Sequence, residues 1–324
     1  MSDKKGLLSG GLSMVGRNKR YIIWFYLMNL TLAWFGAGAF VNQAYAILDH
    51  SLHADGVLHG FSVGVLTELL IRPEFGSSEA VQGSALHFAF LFFFLTALFL
   101  PGVLQGYAST YRLPREDFFR ACGRNLWRFI RLLIVAGIVM GAVAGALFGI
   151  RAAILKKAAE STNELLPFYL SMACLIVIFL VVSVLRIWFD LAETDVVLSD
   201  QRAVRRSIAA GFRHTWRNLG RLLAGYVVTT LVAALVLVAG LLVWMKFVLP
   251  ASVLGAVFIS QLTLLLLLIP RFWQRGIAVT YYLQHMVEPV AVQSFSPVPI
   301  VVPVVGEPTP APIVPVVLPE PPAS

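Results

Sequence analysis

Long apolar stretches alternate with short polar, basic ones along this chain. Six of the apolar stretches are long enough, at about 20 residues of helix, to cross roughly 30 Å of hydrocarbon. The pattern places spans at 21–47, 85–107, 132–155, 165–189, 222–249 and 251–269, with Pro250 alone between the last two. The intervals are too long, and too uniformly apolar, for the alternating strands of a transmembrane barrel. The expected fold class is therefore all-α: a polytopic membrane protein with six transmembrane helices.

The polar phrases are not random. "FRACGRNLWR" at 119–128 and "FRHTWRNLGR" at 212–221 share Phe, Arg, Arg, Asn, Leu and Arg at equivalent positions, 93 residues apart. "GRNKR" at 16–20 echoes both, so an Arg-Asn pair stands before spans one, three and five. The returning helices echo more faintly, in "LRIWFD" at 185–190 and "PRFWQR" at 270–275. Three helical hairpins, repeated in parallel because every copy starts on one side, are the simplest architecture.

A helix entering a bilayer leaves its first N–H groups unpaired, and asparagine is a favoured N-cap while arginine snorkels toward phosphate. Arg17, Asn18, Arg120, Arg124, Asn125, Arg128, Arg213, Arg217, Asn218 and Arg221 are thus expected to form a lipid-headgroup collar. Arginine and asparagine without a nucleophile, acid or base define no reaction. Ahead of the third collar, Ser199 can cap a helix carrying Val204, Ile208, Phe212 and Leu219 near one face and arginines elsewhere. Before the second, Leu113, Phe118, Phe119, Cys122, Leu126 and Trp127 interleave with arginines in the same way. Both read as amphipathic helices lying flat on one leaflet, and "FSVGVLTELLI" at 61–71 reads as a further one on the opposite face.

Composition agrees with the pattern: 58% of the 324 residues are hydrophobic and 13% charged. The formal charge of +8 matters here by its placement, and does not call for a nucleic-acid partner. Of 25 Lys and Arg, only Arg72, Arg151, Lys156, Lys157 and Lys246 fall on the side opposite the collars. The positive-inside rule then predicts both termini in the cytoplasm. Trp24, Trp127, Trp188, Trp216 and Trp273 gather at the same level, where an indole sits among headgroups, and a basic aromatic belt suits anionic lipid. A basic start, an apolar run and "AYA" at 44–46 also resemble a signal peptide, but the run is long for one and the repeat requires this helix.

Cys122 and Cys174 form no zinc spacing or disulfide framework. Gly137, Gly141, Gly145 and Gly149 recur every four residues in span three, a small-residue stripe that admits a neighbouring helix of the same chain or, otherwise, a second copy. The most chemical stretch is "DHSLHADGVLH" at 49–59, whose His50, His53 and His59 are candidate metal ligands without a recognised zinc motif. No cofactor is expected. Polar residues within the spans are sparse, and Asn42, Gln43, His87 and Gln261 would line a path if one existed. No carboxylate lies deep in a span, which argues against ion-coupled transport. Asp190, Glu193 and Asp195 follow span four and are expected to form surface ion pairs.

Residues 1–20 read as a basic cytoplasmic N-terminus, 21–286 as the six-helix domain, and 287–324 as a separate tail. That tail holds eleven of the seventeen prolines and no Lys or Arg. It reads as a disordered, partly polyproline II extension, a spacer or a docking strand for a protein partner.

Six spans in three hairpins, with "DLAETDVVL" at 190–198 followed by "RRSIAAGFRHTWRN" at 205–218, resemble a bacterial membrane domain. That domain is sometimes fused to glycerophosphodiester phosphodiesterases and otherwise stands alone. The likeness spans mainly residues 85–285. It implies a bacterial inner-membrane location and an architecture. No segment after span six is expected to fold into the phosphodiesterase domain. The expected role is a membrane scaffold or lipid-associated accessory without catalysis of its own, the rival being a transporter or channel for a small or lipidic solute.

Overall fold

The computed structural model describes residues 6–48, 79–160, 165–200, 203–248 and 252–287. Among these residues the regular structure is all helix, without strands. In chain order the helices are α1 (Leu7–Arg17), α2 (Arg20–Leu48), α3 (Glu79–Ala108), α4 (Arg115–Ala158), α5 (Leu166–Leu198), α6 (Val204–Arg217), α7 (Leu219–Phe247) and α8 (Val253–His285). Six of them, α2, α3, α4, α5, α7 and α8, are long and apolar enough to cross a membrane. The chain is a multi-pass membrane protein. Expectations about His50, His53 and His59, the segment 61–71 and the tail lie outside the described residues.

The buried core sits at one end of the spans, the end carrying the basic phrases. There Tyr21 and Phe25 of α2, Leu100, Leu104 and Tyr107 of α3, Phe118, Cys122 and Phe129 of α4, and Phe272 of α8 form one cluster. Tyr21 stacks on Phe118 at 5.4 Å and Phe25 meets Phe272 edge-on at 5.1 Å. Such aromatic pairs add about 0.5–1.5 kcal/mol to the burial itself. A second cluster joins Leu7 to Ile187, Leu191, Leu222, Tyr226, Ile277 and Tyr281. The other halves of the spans are far less packed: Leu231, Leu235 and Met245 of α7 and Leu254 and Phe258 of α8 are all exposed, as lipid-facing side chains are.

Each basic segment lies along a returning span, α1 on α8, the start of α4 on α3, and α6 on α5. Small residues make this possible. A Cβ at Gly11 would stand 2.8 Å from the Ile277 nitrogen, and one at Gly276 would stand 2.7 Å from the Gly11 carbonyl oxygen. One at Gly211 would stand 2.9 Å from the Trp188 carbonyl oxygen. Indole N–H groups fasten two of the contacts: Trp273 donates to the Leu8 carbonyl at 2.9 Å, and Trp188 to the Ile208 carbonyl at 2.8 Å.

Several expectations need correction. The second amphipathic segment is no separate surface helix; α4 runs unbroken for 44 residues, about 66 Å. Nothing within 115–131 breaks a helix, and Phe118, Cys122 and Phe129 find a partner in α3 rather than lipid. Helix α6 is separate, as expected, yet it presents Ser207, Gly211 and Thr215 inward and leaves Phe212 and Trp216 exposed. Ser199 does not cap α6. It closes the C-terminus of α5, donating from its hydroxyl to the Asp195 carbonyl. The N-terminal region, read as a basic extension, contains the helix α1.

Among the described residues, Gly137, Gly141, Gly145 and Gly149 pack against no other helix. A Cβ at any of them would meet nothing within 4 Å among the described residues, because α4 turns its opposite face to α5.

Candidate functional site: a buried charged cluster

The three collar asparagines are not N-caps by their side chains. Asn18 is 2% exposed at the break between α1 and α2, and its amide donates to the Met14 carbonyl at 3.2 Å. Asn125 is fully buried inside α4 and donates to the Ala121 carbonyl at 3.1 Å. Asn218, at the break between α6 and α7, donates to the Tyr281 hydroxyl at 2.7 Å. Asn18 and Asn125 are interior polar contacts, because the spans converge there and exclude the solvent an N-cap would face, while Asn218 is half-buried against α8.

The collar arginines divide. Arg17 donates to the carbonyls of Tyr107 at 3.2 Å and Ser109 at 2.7 Å, a cation closing the C-terminus of α3. Arg128 pairs with Asp200 at 2.6 Å, Arg124 reaches the same carboxylate at 3.8 Å, and Arg120 pairs with Asp117 at 3.0 Å. Arg213, Arg217 and Arg221 are exposed and make no ion pair or side-chain hydrogen bond among the described residues. They flank exposed Phe212 and Trp216, which stack on each other at 5.7 Å.

The strongest concentration of buried charge lies where the sequence predicts surface ion pairs. Asp190 and Glu193 are 7% and 6% exposed, set on the inward face of α5. The Tyr226 hydroxyl of α7 donates to Asp190 Oδ2 at 2.7 Å, and Arg186 Nε stands 3.8 Å from the same oxygen. Arg275 and Arg271 of α8, with Arg186, act electrostatically on Glu193. Beside them Gln274 donates to the Thr230 hydroxyl at 3.2 Å. Three guanidinium groups against two carboxylates leave one formal positive charge in surplus.

The arginine end opens into a crevice among α2, α3 and α8, lined by Phe25, Asn29, Phe92, Thr96, Leu268, Arg271, Phe272 and Arg275. Arg275 Nε, Asn29 Oδ1 and Thr96 Oγ1 are buried there without a hydrogen-bond partner. Buried polar atoms are ordinarily satisfied, so three orphans around one crevice single it out. The α5 carboxylates carry a sequence signal after all: Asp190, Glu193, Val197 and Ile187 share the helix face that the returning span buries, at spacings of three and four.

No protein family, curated protein or solved structure matches the chain.

The remaining expected residues do not gather. Gln261 accepts from the Tyr26 hydroxyl at 3.1 Å, tying α8 to α2, while Asn42 and His87 are exposed. The side chain of Gln43 lies outside the described residues. Among the described residues no three of His, Cys, Asp and Glu stand together as a metal site would require.

Proposed function

We propose that the chain is an integral inner-membrane scaffold or lipid-associated accessory protein, without catalytic activity of its own, with both termini in the cytoplasm. The observation that carries this is the surface of α6. Arg213 and Arg217, with Arg221 at the start of α7, are exposed and, among the described residues, unpaired beside exposed Phe212 and Trp216, which is the arrangement of an interfacial helix on anionic lipid. The architecture is that of three parallel hairpin repeats, supported by the recurring contact of a basic helix with a returning span and by the matched bonds of Trp188 and Trp273. It resembles the membrane domain named above in plan. The exposed glycine stripe of α4 is then the seam for a second copy, and the Pro-rich tail the contact for a protein partner.

Native mass spectrometry of protein extracted in mild detergent tests the reading. Anionic phospholipid should co-purify in excess over its share of the membrane, and the triple change Arg213→Gln, Arg217→Gln, Arg221→Gln should reduce that excess several-fold. An unchanged lipid profile would remove the collar. The same spectra report a dimer, or a bound protein lost on deleting 287–324, if those contacts form.

One observation favours the rival reading, a transporter for a small or lipidic solute. The buried carboxylates of Asp190 and Glu193, among three arginines at the basic end of the spans, are the kind of sequestered charge that transport pathways use. Flux of solute or protons in proteoliposomes that is abolished by Asp190→Asn would favour it; equal leak with and without protein would dismiss it.

A further inference from the structure

We propose that Arg271 and Arg275, with Asn29 and Thr96, form a site for one phosphate group at the mouth of the crevice between α2, α3 and α8. The proposal rests on the lipid-associated reading for the source of that phosphate, though not for the site. Arg275 is 8% exposed, lines the crevice and has an unpartnered Nε. Neither arginine makes an ion pair within 4.0 Å or donates a hydrogen bond among the described residues, so Asp190 and Glu193 compensate their charge only from a distance. Guanidinium is the side chain best matched to phosphate oxygens, through parallel N–H donors.

The other orphans suit the same ligand. The Thr96 hydroxyl and Asn29 amide can donate to an anionic oxygen, and the Thr96 and Asn29 oxygens can accept from a protonated phosphate or a glycerol hydroxyl. The crevice itself has room for about one water-sized group, so a single phosphate oxygen enters while the rest of the group rests outside on Arg271, which is exposed. Depth agrees. Eighteen residues separate Val253, the first residue of α8, from Arg271, a rise of about 27 Å. With roughly 30 Å of hydrocarbon, that sets Arg271 at the acyl–headgroup boundary of the basic-side leaflet and Arg275 one turn beyond it.

The test is native mass spectrometry of delipidated full-length protein titrated with palmitoyl-oleoyl phosphatidylglycerol, with inorganic phosphate in a separate arm. One molecule per chain should saturate well before further weak binding. Arg271→Gln should raise the half-saturating concentration at least tenfold, and Thr96→Val, chosen because a buried Arg275 variant can fail to fold, should raise it several-fold. Millimolar inorganic phosphate that displaces the lipid, dependent on Arg271, assigns the site to a soluble phosphate. Lipid binding that phosphate cannot displace assigns it to a headgroup. Absence of a saturable molecule, or binding unchanged in both variants, overturns the site and leaves a crevice that holds water. The Arg213, Arg217 and Arg221 triple variant separates the two readings: it should thin the weak lipid and leave the tight one, so loss of either behaviour without the other tells which failed.

Discussion

Consider a methyl group added at Gly276. The new Cβ would stand 2.7 Å from the Gly11 carbonyl oxygen, 3.0 Å from Gly11 Cα and 3.1 Å from Gly11 C. All three neighbours are backbone, so no rotamer change relieves the contact, and α1 must retreat from α8 by about 0.7 Å to restore an ordinary separation near 3.4 Å. Overpacking of this kind costs about 1–3 kcal/mol. Alanine regains at most about 1 kcal/mol of helix propensity over glycine. The net expectation for Gly276→Ala is a loss of up to about 2 kcal/mol, accompanied by loosening of α1. The control is Gly123→Ala in α4, where a Cβ meets nothing within 4 Å and only the propensity gain remains, so stability should rise slightly. Thermal unfolding in one detergent, with amide hydrogen exchange of 7–17, measures both. If Gly276→Ala is as stable as Gly123→Ala and leaves exchange in α1 unchanged, the close docking of α1 on α8 is wrong.

Tyr226→Phe deletes the donor to Asp190 and strands a buried carboxylate oxygen, an expected loss of about 1.5–3 kcal/mol in denaturant unfolding; a change below about 0.5 kcal/mol would mean the pair is not formed. Trp273→Phe should speed amide exchange in α1 and spare α6, Trp188→Phe should do the reverse, and each should cost about 1 kcal/mol; identical exchange maps would sink the assignment of these indoles. The His214 imidazole in α6 is held below its ordinary value near 6.5, first by burial and then by Arg217, Arg213 and His285, with Asp195 opposing. The unfolded chain therefore binds this proton more readily. Its contribution to stability is full above about pH 6.5 and is lost as pH falls from there through the folded value, so acidification should weaken α6 docking in the wild type and less so in His214→Gln. Equal acid sensitivity of the two proteins in exchange of 204–217 would refute that.

The sequence by itself determined the six spans, because an apolar run of that length has no stable place in water and hydrocarbon forces its backbone into helix. It also marked the level at which charge and tryptophan gather. It could not say which neighbour each residue meets. Asn218 looks the same as a cap or as the partner of Tyr281, 63 residues away. Helix α1 lies where the sequence reads as a basic extension; the signal it does carry is Leu7, Gly11 and Val15 at four-residue spacing, and its burying surface is supplied by Gly276 and Ile277 at the far end of the chain. Nor does a glycine stripe announce whether it is covered: Gly11 is pressed against backbone while Gly141 stands open. The candidate site was hidden for the same reason. Asp190 and Glu193 follow an apolar run and read as surface, until α7 and α8 close over them and bring Arg271 and Arg275 within electrostatic reach. Pattern records which side chains must leave water; only the packing of distant helices decides which polar atoms are left facing one another without it.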